Sequence, residues 1–230
     1  MIVLSTQPFG PDDIARLEAA GCTYHYVAPG GDPHGAPSEQ YHAGLYALPE
    51  AIRRQAQVLV TPCFHVTARL LEALPALQWV HHPGAGVNSG PFWTQWDLLD
   101  AHHIIVTTAK IHAAPISEWI VALMLALAKN LKRHAERQKA HIYHDEERLP
   151  SLILEGKTAL IIGAGHVGAE TGRKLKLAFH MTTLGVNSDG RPLEYFDETH
   201  TLEALDALLP RADFVICTSV LVEATRGLID

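Results

Sequence analysis

The sequence predicts an α/β fold built on parallel sheets, on three observations. Short β-rich apolar runs alternate with longer helical patterns from one end of the 230 residues to the other. One such run ends in a glycine turn that opens onto a helix. The composition, 47% apolar and 19% charged, is that of a globular chain with material for one large or two small domains. Alternation of this kind calls for crossover helices between parallel strands. The apolar content excludes a disordered chain. Lys and Arg are scattered under a net charge of −7, so neither nucleic acid nor an anionic membrane has a basic face to meet.

The strand candidates of the first block are Ile2 to Ser5, Thr23 to Val27, Val58 to Val60, Trp79-Val80 and Ile104 to Val106. Between them lie helix candidates at Asp12 to Ala20, closed by Gly21, at Glu39 to Gln55, and at Thr67 to Leu74, closed by Pro75. The opening run lacks the basic and long apolar regions of a secretory signal and reads as a first strand, while the cysteine usage makes a cytoplasmic location the expectation. The longest apolar run, Trp119 to Ala128, falls far short of the ~20 residues that cross a bilayer. Cys22, Cys63 and Cys217 are odd in number, far apart and set in or beside apolar segments, which fits reduced, mostly buried thiols.

A long helix is expected from Ser117-Glu118, with Ile120, Leu123, Met124, Leu127 and Leu131 at helical spacing. It is apolar almost all round, so two readings stay open: burial within one chain, or one face on a sheet and another on a partner subunit. Lys132 to Arg148 turns basic and His-rich, as in a solvated arm ahead of a second domain.

That second block carries a phosphate-binding signature. The apolar run Lys157 to Ile162 is followed by Gly163-Ala164-Gly165-His166-Val167-Gly168, and a helical pattern continues from Ala169 to Leu177. This is the strand, turn and helix context that gives the glycine motif its meaning. Gly163 permits the turn, Gly165 admits a pyrophosphate, and Gly168 allows helix and strand to pack closely. The N–H groups of His166 and Val167 then face the phosphates with the helix dipole behind them. The following strand, Met181 to Val186, ends at Asn187-Ser188 with no carboxylate before Asp189. A free ribose 2′-hydroxyl is normally held by a carboxylate near this point. Neutral Asn187 and Ser188, with Arg191 close by, tilt the site toward NADP over NAD. The alternative is a plain turn with a solvated Arg191.

Several stretches in fixed order resemble the D-isomer-specific 2-hydroxyacid dehydrogenase family, which includes glyoxylate/hydroxypyruvate reductases and phosphoglycerate dehydrogenases. They are Leu77-Gln78-Trp79-Val80 leading to Gly84-Ala85-Gly86-Val87-Asn88, Ile105 to Thr108 with His112 to Glu118, the glycine loop, Ala212 to Ile216, and Thr225-Arg226-Gly227-Leu228-Ile229. The resemblance runs from about Leu74 to the end of the sequence. It implies a flavodoxin-like substrate-binding domain at 1–103 and the N-terminal part of a Rossmann NAD(P)-binding domain at 104–230. It also implies a small 2-keto or 2-hydroxy acid substrate whose carboxylate meets the backbone N–H groups of Ala85 and Gly86, and a homodimer formed through Ile116 to Leu131 and the arm. Successive N–H groups among small residues make a concave anion site, which is a sound physical basis for that role.

Two departures stand out. Asn88 replaces a more usual Asp, and Thr218-Ser219-Val220-Leu221-Val222 replaces a Leu-Pro-Leu-Thr run beside the adenosine. Contacts to the cofactor are still expected from Thr218, Ser219 and Val220. The resemblance places the catalytic Arg, Glu and His after the Thr-Arg-Gly-Leu-Ile stretch, so none is expected within the chain, which reads as a truncated dehydrogenase holding one βαβαβ half. Arg226 belongs to that stretch itself. Two functional readings therefore remain: a 2-keto acid reductase, or a non-catalytic dinucleotide-binding or dimerisation module. His81 and His82 alternate across a strand, so at most one looks toward a ligand. Cys63, Phe64 and His65, after a strand end, are candidates for substrate selectivity. His141 with His144 reads as surface, and no metal site is expected.

Overall fold

The computed structural model describes residues 1–88, 92–143 and 151–229. They form two compact units: Met1–Lys110 with the tail from Val220, and Ile111–Ser219.

The first unit holds five parallel strands, β1 (Ile2–Ser5), β2 (Thr23–Tyr26), β3 (Ala56–Val60), β4 (Trp79–His82) and β5 (Ile105–Thr108), in the order β2-β1-β3-β4-β5. That is the flavodoxin-like order, with its switch point between β1 and β3. Val3, Val58 and Val60 face helix α1 (Pro11–Ala19), where they pack with Leu17, Phe9 and Tyr24. Leu4, Leu59 and Val80 face the opposite core with Leu45, Leu70, Leu74 and Leu99. The start of α1 is local chemistry: Pro11 opens it and Asp12 and Asp13 sit in its first turn.

The helix expected over Glu39 to Gln55 is instead three single turns, α2 (Ser38–Tyr41), α3 (Ala43–Tyr46) and α4 (Glu50–Arg53). Pro49 cannot continue a helix, and Gly44 lies so close to Val27 that a Cβ would stand 2.8 Å from its Cγ1. The tertiary contact outweighs the propensity of the run. Helices α5 (Ala68–Ala73) and α6 (Trp96–Ala101) complete the unit, α5 being capped by the Thr67 side chain, which accepts the Leu70 N–H.

The break between the units falls after Lys110 rather than between 103 and 104. The reason is hydrogen bonding: Ile105–Thr108 pairs in register with Trp79–His82, which claims β5 for the first sheet.

In the second unit, helix α7 (Ala113–Ala128) begins before the expected Ser117, because Pro115 is tolerated in a first turn. Asn130, left-handed at φ 51°, separates α7 from α8 (Leu131–Lys139), so Leu131 belongs to the second of these helices. The arm beyond Tyr143, including His144, lies outside the described residues. Strands β6 (Thr158–Ile162), β7 (Thr182–Val186), β8 (Glu198–His200) and β9 (Phe214–Cys217) are parallel in the order β8-β7-β6-β9. Helix α9 (His166–Phe179) follows β6, and the short α10 (Leu205–Leu208) precedes β9. The core joins Met124 and Ala128 of α7 to Ala159, Ile161, Leu175 and Ile216.

This order corrects the expected three-stranded half. Glu198-Thr199-His200 is a strand without an apolar residue, held by its pairing with β7, and β9 lies on the far side of β6. The order reverses between β6 and β9, so both sides of this unit's switch point lie within the chain.

Candidate functional site

The glycine loop sits at that switch point. Gly163 has φ +88°, and a Cβ there would stand 2.4 Å from the backbone N and Cα of Ser219. Only glycine fits. A Cβ on Gly168 would stand 2.6 Å from Gly163 O and 3.0 Å from Thr218 Oγ1, so the first turn of α9 presses directly on the loop. Thr218 ties the two strand ends together: its N–H donates to Ile162 O at 2.8 Å and its hydroxyl to Gly163 O at 2.9 Å. Helix α9 starts at His166 with no side-chain cap. Its leading N–H groups, those of His166 and Val167 included, therefore have no intrahelical acceptor and point with the positive end of the helix dipole. These donors and this close backbone approach are what a pyrophosphate would need, so the residues present fit one.

Beside it, at the end of β7, the Asn187 side chain is committed to the turn. Its Oδ1 accepts N–H bonds from Asp189 (3.3 Å) and Gly190 (2.5 Å), and its Nδ2 donates to Arg191 O at 3.1 Å. For Asn187 the structure thus favours the turn alternative. Arg191 and Asp189 approach only to 3.9 Å and both are exposed, a weak surface pair that leaves the guanidinium available.

In the first unit, β4 runs into Gly84-Ala85-Gly86-Val87-Asn88, with Ala85 and Gly86 exposed. The loop rests on a polar layer. The Cys63 N–H donates to His82 Nδ1 at 3.3 Å, and the His82 ring lies under Gly84. The Thr94 hydroxyl donates to Val87 O, and Asn88 Oδ1 accepts the Thr94 N–H at 2.8 Å. His81 turns to the other face, 2.8 Å from Thr107 Oγ1.

Three selectivity candidates are corrected. Cys63, Phe64 and His65 are all buried, in a 3-10 turn. His65 stacks on Tyr41 with ring centroids 4.4 Å apart and bonds Ser38 Oγ and Pro33 O. These residues form part of a buried polar cluster, missed in the sequence, at the ends of β1 and β3. There the Thr6 hydroxyl donates to Thr61 Oγ1 at 3.1 Å, and His42 Nε2 lies 3.0 Å from the same Thr61 oxygen. Burial, reinforced by His65 nearby, lowers the His42 pKa to about 3, and burial pushes the Cys63 thiol up. No periodicity announces such a cluster, because its members come from four segments. Of the three free cysteines, Cys22 and Cys63 are buried, as the expectation of mostly buried thiols has it, and Cys217, on β9 at the edge of the sheet among the described residues, is exposed.

Residues 121–230 match the family described as D-isomer specific 2-hydroxyacid dehydrogenase, NAD binding domain. The match spans just under half of the chain and makes that stretch similar to this NAD-binding domain. The match covers the glycine loop, the β6/β9 switch point and the segment from Thr218 onward. Among similar proteins, glyoxylate/hydroxypyruvate reductase B of Salmonella paratyphi B is 29% identical over 191 residues, 78% of this chain and 57% of that protein. D-3-phosphoglycerate dehydrogenase of Mycobacterium tuberculosis is 28% identical over 189 residues, 81% of this chain and 34% of that one. A D-isomer specific 2-hydroxyacid dehydrogenase family protein from Aeromonas salmonicida superposes with a TM-score of 0.70 at 25% identity, over 99% of this chain and 66% of that one. The chain thus spans 34 to 57% of the length of these curated relatives. Among the described residues no single helix is long and apolar enough to cross a membrane, and no group of three or more His, Cys, Asp or Glu is placed to hold a metal ion.

Proposed function

We propose that this chain is a member of the D-isomer-specific 2-hydroxyacid dehydrogenase family and takes part in NAD(P)-dependent reduction of a small 2-keto acid of the glyoxylate or hydroxypyruvate class, or the reverse oxidation. The observation that carries the reading is the uncapped start of α9 behind Gly163 and Gly168, a pyrophosphate cradle at the switch point. His166 and Val167 would offer backbone N–H groups to the pyrophosphate. Gly165 keeps the approach open, and Thr218, Ser219 and Val220 line the neighbouring strand end. Arg191, beside Ser188, would meet a 2′-phosphate, which favours NADP. Ala85 and Gly86 would hold the substrate carboxylate. When bound, the nicotinamide supplies the hydride, and one proton completes conversion of the carbonyl to an alcohol. The exposed apolar side chains of Ile116, Trp119, Leu123 and Leu127 support a homodimer formed through α7, and the free cysteines support a cytoplasmic setting.

A second reading, dinucleotide binding without turnover, is favoured by one observation. Both histidines beside the anion loop are committed, His82 to the Cys63 N–H and His81 to Thr107, so neither stands ready as the acid. The test is NADPH titration of the 230-residue chain followed by NADPH oxidation with glyoxylate. Binding with turnover near ~10 per second supports the reductase. Binding without turnover supports the second reading, and no binding rejects both.

A further inference from the structure

The Asn88 side chain makes two bonds of opposite polarity. Its Oδ1 accepts the Thr94 N–H at 2.8 Å, and its Nδ2 donates to Leu221 O at 3.2 Å. Since an N–H needs an acceptor and a carbonyl needs a donor, the partners define which way the amide points. An aspartate could make the first bond but would set an anion against the Leu221 carbonyl in the second.

Leu221 belongs to a closed turn. The Thr225 hydroxyl donates to Val220 O at 2.6 Å and accepts the Val222 N–H at 2.9 Å. The turn has a second anchor near Asn88: the Arg226 guanidinium lies 4.9 Å from the Trp93 ring centroid, and Trp93 is the neighbour of Thr94. At its other end, two residues before Leu221, Ser219 is the residue that a Cβ on Gly163 would strike.

We infer that Asn88 is a positioning residue that couples occupancy of the glycine loop to carboxylate affinity at Ala85 and Gly86. The inference rests on the reading that these two loops take a dinucleotide and a carboxylate. A dinucleotide seated against Gly163 sets Ser219. The turn from Val220 carries that setting to the Leu221 carbonyl, and the Asn88 amide transmits it to the anion loop. Coupling between two sites is reciprocal, so each ligand tightens the other by the same factor.

The test is calorimetric. Oxalate, a planar dicarboxylate probe, is titrated into the full chain with and without saturating NADPH, and the ratio of the two dissociation constants is the coupling factor. The wild type should give a ratio of about fivefold or more. Asn88→Asp should bring it below about twofold, a fall larger than any change in NADPH affinity alone, which loss of fold would not produce. Arg226→Ala, which removes the exposed second anchor, should lower the ratio in the same direction and serves if Asn88→Asp fails to fold. A wild-type ratio of one, or a ratio that both variants keep, overturns the inference while leaving the functional reading intact. A wild type that binds neither NADPH nor oxalate overturns that reading and the inference with it.

Discussion

Single residues govern the binding chemistry, and Gly163 is the most constrained of them. Gly163→Ala would place a Cβ on the Ser219 backbone at φ +88°, combining strain with a clash that backbone cannot relieve. The expected outcome is loss of NADPH binding with destabilisation of about 2 kcal/mol or more, read by ligand titration and urea unfolding. Arg191 acts by charge alone. Arg191→Ala should weaken NADPH about tenfold, toward the lower end for a charge-assisted bond because the side chain is exposed, and leave NADH little changed. Equal weakening of both would show that the guanidinium does not meet the 2′-phosphate. His42 bears on stability instead. Its folded pKa is lowered to about 3 while the unfolded chain titrates near the ordinary 6.5, so the unfolded state binds the extra proton between these values. Stability is full above pH 6.5 and declines as the pH falls toward 3. The carboxylates of Glu170 and Glu198, held near 2 by hydrogen bonds from Arg173 and Arg211 first of all, keep their stabilising contribution above about 4.5 and lose it only below that pH. Urea midpoints should therefore fall from pH 7 to pH 5, and His42→Gln should flatten that change. An unchanged slope would acquit His42.

Elements were legible in the sequence in proportion to how local their causes are. Helix α1 follows from Pro11, Asp12 and Asp13, and the turn before α9 follows from its glycines, because the determinants lie within one turn of the chain. The one-helix reading of 39–55 fails because Gly44 meets Val27 and Tyr41 is drawn into the core, both non-local events. β8 was invisible because a polar triplet becomes a strand only beside β7. Helix α7 had two open fates, and the structure buries one part of its surface and leaves another exposed. Met124 and Ala128 enter the core, while Trp119 and Leu127 stay 66% and 74% exposed. Covering such a stripe stabilises association by roughly 25 cal/mol per Å² before association costs. The chain should sediment as a dimer at tens of micromolar, and Trp119→Glu with Leu127→Glu should yield a folded monomer. A monomeric wild type would count against this face as the interface.

At the scale of the whole molecule the two units predict a divided response to ligand. NADPH that binds the glycine loop stabilises the unit that holds it, so hydrogen exchange should slow in β6, α9 and β9 more than in β1 to β3. Uniform slowing would indicate one cooperative body. The sequence by itself determined the α/β class, the parallel sheets and the position of the glycine loop, since these rest on hydrophobic periodicity and on residues adjacent in the chain. Only the tertiary structure decided that β9 lies across β6 from β7 and completes the switch point, that β5 belongs to the first sheet, and that Cys63, Phe64 and His65 are core. It also decided that Asn88 joins its own glycine-containing loop to Leu221 across 133 positions. The physical reason is common to all of these. A strand's neighbour and a side chain's depth are set by partners far along the chain, and no window of sequence contains both members of such a pair.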